Sequence, residues 1–353
     1  MGGHPVKASL APLFSTPLVP WMITLGLSGY VYFLTYHAQH SLSPDPSYEF
    51  YDTTQVRILL PPSDEPHEVY AHLTTILEGR RELVTAVQAK PGMYRLTFNV
   101  NSPRPAVVFI DNEALEIFLV PGDTSLALAL KFSPDGTRLD SAVFRGKHGN
   151  LSAYYRDKMA RLGRNQVRTP SLSFSPDPFA AYAAKLDSMA ARELAFLAER
   201  EIFAILPDWF ASFEKNEILY QKAYLKLNAA YNQQVPESLL DQVPLNNSGA
   251  VFSYYYYLYL NAFIARRHGM LRTGDPETLR RQVATADSLL QGDPHDIFLA
   301  RMIFQAMDQQ QLELAAGLLD QYEPKFNSNR YSRFLRAQLK ARESAAQAQP
   351  VTR

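Results

Sequence analysis

Histidine and cysteine often bind metals or act as bases and nucleophiles, but in this sequence the histidines are scattered and cysteine is absent. The sequence contains eight histidines and no cysteine in 353 residues. The lack of cysteine excludes disulfides, thiolate zinc sites, iron–sulfur clusters and cysteine nucleophiles. His67 and His72 lie one residue too far apart in HEVYAH to match the HExxH motif of zinc proteases. We therefore predict neither a metal site nor another cofactor.

Other catalytic motifs are also missing from the sequence. It has no GxGxxG segment, no Walker A loop and no GxSxG nucleophile elbow. Lys+Arg and Asp+Glu both number 35, so no overall field would attract nucleic acid. We predict a protein that is not an enzyme, has no catalytic residues and does not bind nucleic acid.

A tyrosine-rich run is the most unusual local composition. Consecutive side chains on a helix point around most of its circumference, so they cannot form one stacking platform for bases. With apolar residues interleaved, the run favours a helix that is buried on several sides. The alternative is an aromatic surface that binds a small molecule or glycan. The candidate residues are Tyr254, Tyr255, Tyr256, Tyr257 and Tyr259.

The N-terminal part contains a long uncharged segment. Apart from two histidines that can be protonated, no charged side chain lies between Lys7 and Asp45. Residues 17–38 are about long enough to cross a hydrocarbon core of roughly 30 Å as one helix. A cleaved signal peptide and a buried core helix are the alternatives. Cleavage after Ala38 would put Tyr36 where a small residue is required, which disfavours the signal peptide.

Charges around this segment predict its orientation. Lys7 precedes it, and the next Lys or Arg after it is Arg57. The positive-inside rule then places residues 1–16 in the cytoplasm and the rest of the chain outside it. We predict a single-pass protein of the bacterial inner membrane with its globular part in the periplasm. Residues 39–54 are rich in proline and serine, and we predict that they form a linker.

Residues 55–146 have the pattern of a β domain. In MYRLTFNV, apolar and polar side chains alternate, and Pro121-Gly122 is typical of a type II turn. A helical stretch at 67–79 is compatible with the pattern. About seven short strands separated by turns predict an antiparallel β-sandwich.

Residues 147–345 change to helical periodicity, which makes the chain α+β. Asp177, Asp275 and Asp293 each precede a proline, and we interpret all three as helix N-caps. Helices are expected at about 208–232, across the tyrosine run, and as hairpins of the tetratricopeptide kind thereafter. Residues 346–353 are expected to be a disordered tail.

The order of segments resembles a known family over about residues 80–345. The stretches PGMYRLTFNV, LEIFLVPGD and FRGKHGN are similar to the N-terminal β domain of exported thioredoxin-like (TlpA-type) thiol–disulfide oxidoreductases of Bacteroidota. The matching positions are Pro91, 118–123, Gly146 and Asn150. The helices are similar to the middle region of these proteins. Their thioredoxin domain with its Cys-x-x-Cys motif has no counterpart here, so the resemblance implies the accessory part without its redox chemistry.

Three functions therefore compete. The first is a membrane-anchored, periplasm-facing, non-catalytic interaction protein, such as an accessory subunit of a cell-envelope or respiratory complex. Its partner is a protein at or in the membrane. The second is the accessory part of a thiol–disulfide oxidoreductase system whose redox domain lies elsewhere. A small-molecule or glycan binder that uses the tyrosine helix is the third.

Overall fold

The fold comes from a computed structural model that describes most of the chain after residue 51. Its described part is α+β, with the strands first and the helices after them. The described residues are 52–61, 63, 66–74, 81–111, 113–133, 139–163, 178–203, 206–232, 235, 240–267, 275–326 and 329–348.

Nine strands precede the first helix of the described part. The alternating pattern predicted for MYRLTFNV is confirmed, since Tyr94, Leu96, Phe98 and Val100 are buried and the residues between them are exposed. The strands are β1 (Asp52–Leu59), β2 (Val69–Thr74), β3 (Arg81–Thr85), β4 (Val87–Lys90), β5 (Met93–Val100), β6 (Arg104–Ile110), β7 (Glu113–Leu119), β8 (Ala127–Phe132) and β9 (Leu139–Arg145).

Hydrogen bonding arranges these strands in two sheets. A five-stranded sheet has the order β4-β5-β1-β8-β9, and a four-stranded sheet has the order β3-β2-β6-β7. Buried side chains of both sheets form one hydrophobic cluster, which includes Val56 and Leu96 from the first sheet and Val108 and Ile117 from the second. The two apolar faces therefore share a single core.

One strand pair differs from the antiparallel prediction. β1 and β8 are parallel, with Ile58 opposite Leu128, whereas the other described pairings are antiparallel. The chain enters the four-stranded sheet for β6 and β7 before it returns to the first sheet. A crossover of this kind, unlike a hairpin, can bring β8 back in the direction of β1.

One further expectation about the β region is wrong. The stretch that could have been helical contains β2, because Val69, Ala71 and Leu73 alternate with less buried residues and face the core. The segment ELVTAVQ contributes to two strands, β3 and β4, on either side of Ala86. The Ala86 amide donates to the Val69 carbonyl at 3.0 Å as the chain passes from one sheet to the other.

Eight α-helices follow in the described part. The α3 helix has the bounds that its periodicity predicts. The most buried helix is α6, which packs against α5, α7 and α8. The helices are α1 (Gly149–Leu162), α2 (Phe179–Phe203), α3 (Asp208–Asn232), α4 (Tyr254–Arg267), α5 (Pro276–Leu289), α6 (Asp293–Asp308), α7 (Leu312–Tyr322) and α8 (Asn329–Ala348).

The three predicted aspartate caps have different outcomes. Asp275 caps α5, since its Oδ2 accepts from the Thr278 amide at 3.1 Å. Asp293 is not the N-cap of α6, because it is already the first residue of the helix. Gly292 takes the N-cap position with a φ of +61°, which glycine adopts readily. Asp177 lies outside the described residues.

The predicted terminal segments are only partly described. No helix in the described part of the chain is long and apolar enough to cross a membrane, and the predicted anchor, 17–38, lies outside it, as do 1–16. The last residues of the predicted linker, 52–54, belong to β1. Likewise α8 continues to Ala348, past the predicted start of the tail.

Candidate functional site

The tyrosine run forms α4, and most of it is core. Tyr256, Tyr257 and Tyr259 are buried, while Tyr254 and Tyr255 are partly buried. The Tyr256 hydroxyl donates to the Leu245 carbonyl and accepts from the Asn247 amide. These contacts fix the helix against the preceding loop.

A charged side chain, Arg301, also packs against α4. The Arg301 guanidinium lies over the Tyr257 ring at 5.4 Å from the ring centroid. Burial raises the pKa of Tyr257, although the Arg301 charge opposes this effect. The run is therefore a helix packed on several sides, and the structure gives no reason to treat it as a stacking platform.

A different region brings ionisable side chains together at the junction of the sheets and helices. The α1 helix packs on β7 and β9, and the buried Phe118 of β7 faces α1 and α3. The Ser152 hydroxyl on α1 accepts from the Phe118 amide at 3.0 Å. This contact joins the edge of the four-stranded sheet directly to the helices.

Lys158 on α1 is the centre of a buried ion cluster in this junction. Its Nζ contacts Glu193 on α2 and lies 2.6 Å from Glu214 Oε1 on α3. The Tyr155 hydroxyl donates to Glu214 Oε2 at 2.6 Å. Lys158 is only 5% exposed and Glu214 is fully buried. One ammonium group thus ties three helices together.

The electrostatic interactions in the cluster stabilise the charged form of Lys158. Burial by itself lowers the pKa of Lys158, but the charges of Glu214 and Glu193 outweigh it, so its pKa is raised. Burial and the Glu214 charge also raise the pKa of Tyr155 well above its usual value. At neutral pH the lysine stays charged and the tyrosine stays protonated. Neither group is prepared to act as a general base.

Asp123 and His148 form a second buried pair near this junction. His148 Nδ1 lies 2.7 Å from Asp123 Oδ2, and the Ser125 hydroxyl donates to Asp123 Oδ1 at 2.6 Å. Burial acts to raise the pKa of Asp123, but the hydrogen bonds from His148 and Ser125 outweigh it and lower that pKa.

These three residue types also occur in hydrolase triads, but their connection differs here. A triad needs the serine hydroxyl on the imidazole, which removes its proton. In this arrangement Ser125 and His148 both bind the same carboxylate. The serine is therefore not activated, and the group fastens the turn after β7 to the start of α1.

A cavity of about 450 Å³ opens between α1 and α2 beside the ion cluster. Its α1 wall carries Tyr155 and Lys158, and Glu116 of β7 contributes to its lining. The lining combines apolar side chains with both buried and exposed charged side chains. Its further lining residues are Met159, Leu162, Gly163, Lys185, Ser188, Met189, Arg192 and Glu193.

A shallow cavity of about 360 Å³ lies at the far edge of the sheets. Tyr70, Tyr94 and Ala86 line it together with Leu83 of β3. Leu83 is 62% exposed, and Val87 at the start of β4 is 69% exposed. Both residues lie on end strands, Leu83 in the four-stranded sheet and Val87 in the five-stranded sheet.

The two histidines of HEVYAH, His67 and His72, contact other side chains. His67 Nδ1 lies 2.7 Å from Asp111 Oδ2, and His72 contacts the rings of Tyr70 and Phe109. No cluster of three or more acidic, histidine or cysteine side chains in the described residues could hold a metal ion.

The sequence did not identify the ion cluster. Lys158, Glu193 and Glu214 belong to separate helices, and each looks like an ordinary surface charge on its own helix. A lysine surrounded by apolar residues on α1, such as Tyr154, Tyr155 and Leu162, was the only local signal.

No protein-family model matches the chain, and a search of curated proteins finds no significant match.

Proposed function

We propose that this protein is a non-catalytic interaction subunit, anchored in the bacterial inner membrane and facing the periplasm. Its partner is a protein of a cell-envelope or respiratory membrane complex. In this proposal the two sheets form a β-sandwich, and the later helices stack as tetratricopeptide-like hairpins. The uncharged segment 17–38 supplies the anchor.

The observation that carries the proposal is the position of β3 and β4, whose outer sides pair with no strand of the described residues. These strands are the end strands of their sheets. Leu83 and Val87, the most exposed large hydrophobic residues of the described part, lie on them. Natural edge strands are usually protected by charge, by proline or by a covering element. An edge that exposes leucine and valine together favours a protein partner.

The chemistry of this edge indicates how a partner would bind. An extended segment can add to an end strand through backbone hydrogen bonds, and alternate side chains then reach one face. Leu83 and the shallow cavity beside it would receive apolar side chains of that segment. We therefore expect a strand-forming partner with apolar residues at alternate positions.

The test is co-purification of the full chain from detergent-solubilised membranes. The wild-type protein should retain a partner in fixed stoichiometry. The double variant Leu83→Asp, Val87→Asp should lose it, because two charges on the edge oppose apolar contact. Val143→Asp is the matched control, since Val143 is a 48% exposed valine on β9, at the opposite end of the five-stranded sheet.

Two results would count against this proposal. One is a monodisperse monomer with no partner. The other is a partner that the double variant keeps as well as the wild type does. Loss of the partner in Val143→Asp alone would indicate that the partner binds at the β9 edge instead.

A second candidate is the accessory part of a thiol–disulfide oxidoreductase system. It is favoured by where the residues of the TlpA-type resemblance lie. Asp123 binds His148, and Gly146 packs against the Ser125 backbone, so these positions form one joint between strands and helices. A co-purified partner with a Cys-x-x-Cys thioredoxin domain would select this candidate over the first.

A further inference from the structure

The cavity between α1 and α2 has two helical walls with matching spacing. On α1 the lining residues Tyr155, Met159 and Leu162 recur at helical intervals, which places them on one face. The α2 wall is formed in the same way by Lys185, Met189 and Arg192. The volume of about 450 Å³ lies within the range of small-molecule sites, roughly 300–1,000 Å³.

Charge is distributed unevenly between the floor and the mouth of this cavity. At the floor, Lys158 is paired with two glutamates, so the buried wall holds more negative than positive charge. At the mouth, Lys185 and Arg192 are exposed, and no ion pair between described residues involves either of them. The mouth therefore attracts an anion that the floor repels.

We propose that this cavity binds an amphipathic organic anion, a single carboxylate joined to a short apolar chain. The chain inserts between Met159 and Met189, whose flexible thioethers adapt to apolar shapes. The carboxylate stays at the mouth on Arg192, whose guanidinium can hold both oxygens. Lys185 lies about 10 Å from Arg192 along α2, given the rise per residue of a helix. Its positive charge adds to the attraction for the carboxylate.

This orientation follows from the ion cluster. A carboxylate at the floor would lie beside Glu193 and would lose its hydration without gaining an unshared cation, because Lys158 is already shared between Glu193 and Glu214. An apolar tail at the floor meets Met159, Leu162 and the Tyr155 ring instead. The site thus selects against short anions, which lack a tail, and against amphipathic cations, whose head group Arg192 repels.

The experiment uses methionine-methyl NMR on the full chain in lipid nanodiscs, because the sequence has only eight methionines. Sodium octanoate is the probe, and octylammonium and acetate are the controls. Octanoate should shift the signals of Met159 and Met189 in a saturable way. Met302 and Met307, which are buried in α6, should not move. Single Met→Leu variants at positions 159 and 189 assign the two signals.

Variants test the role assigned to the mouth. Arg192→Gln should weaken the apparent octanoate affinity about fivefold, the scale expected for an exposed charge pair. Lys215→Gln removes an exposed lysine from α3 and should leave the affinity unchanged. Both side chains are exposed, so neither variant is expected to unfold the protein.

Three results would overturn the proposal. The first is no saturable shift of either methionine signal. The second is an equal response to octylammonium, which would show a purely apolar cavity. The third is an unchanged octanoate affinity in Arg192→Gln. None of these results depends on the partner at the β3–β4 edge.

Discussion

Lys158 is the residue whose replacement should affect stability most. Lys158→Met would leave Glu193 and Glu214 without their shared cation in a buried site. Removing one partner of a buried ion pair costs about 3–5 kcal/mol. We expect that loss in the free energy of unfolding, measured by urea titration with Trp209 fluorescence.

A surface pair provides the control for this prediction. Arg281 and Glu277 lie one helical turn apart, and both side chains are 57% exposed. Arg281→Met should cost less than about 0.5 kcal/mol, because water screens the pair. Similar losses for the two variants would mean that the Lys158 cluster is more solvated than its burial indicates.

Asp123 should make the free energy of unfolding decrease at acidic pH. Its pKa in the folded protein is lowered, so its contribution is complete above the usual aspartate pKa of 3.8. The contribution is lost as pH falls through the lowered folded value. The difference in unfolding free energy between wild type and Asp123→Asn should therefore shrink as the pH falls below about 4. A difference that stays constant down to pH 3 would contradict this.

At the level of single residues, local sequence predicted some roles and missed others. The Asp275 cap was predictable because a cap bonds to an amide only three residues away. The Lys158–Glu214 contact was not, because the two residues are 56 positions apart. Nothing near either residue specifies that α1 and α3 will meet.

At the level of elements, Gly146 determines how β9 leads into α1. Its φ is +105°, and a Cβ added there would overlap the Ser125 carbonyl oxygen. Gly163 also has positive φ, at +82°, but a Cβ there would meet nothing. Gly163→Ala should cost about 1–3 kcal/mol of stability from backbone strain alone. Gly146→Ala should cost more, because overlap is added to strain.

Thermal unfolding of both glycine variants measures this difference. A lower melting temperature for Gly146→Ala than for Gly163→Ala is expected. Equal melting temperatures would show that the Ser125 segment moves aside at little cost.

Element types and faces were largely predictable, whereas partners of elements were not. Period-two alternation identified the face of β5, and helical periodicity gave the bounds of α3. The stretch that became β2 was misread because its six residues are too short to separate the two periods. The parallel β1–β8 pair depends on a crossover between sheets, which no local pattern records.

At the level of the whole molecule, the lack of cysteine allows a direct test of the proposed topology. Lys7→Cys and Lys215→Cys each introduce the only thiol into the chain. In spheroplasts, a membrane-impermeant maleimide should label position 215 without lysis, because the globular part is proposed to face the periplasm. Position 7 should react only after lysis. The reverse pattern would invert the proposed orientation, and labelling of both positions without lysis would argue against a retained anchor.

The sequence by itself determined the α+β class, the faces of several strands, the bounds of α3 and the exclusion of cysteine chemistry. These properties depend on side-chain types and on intervals of a few residues, which the linear order contains. Only the tertiary structure decided that Lys158 joins three helices, and that β3 and β4 are the end strands of the two described sheets. Such features depend on which distant segments meet. That is decided when all apolar faces and buried charges must be satisfied together, and no single segment encodes it.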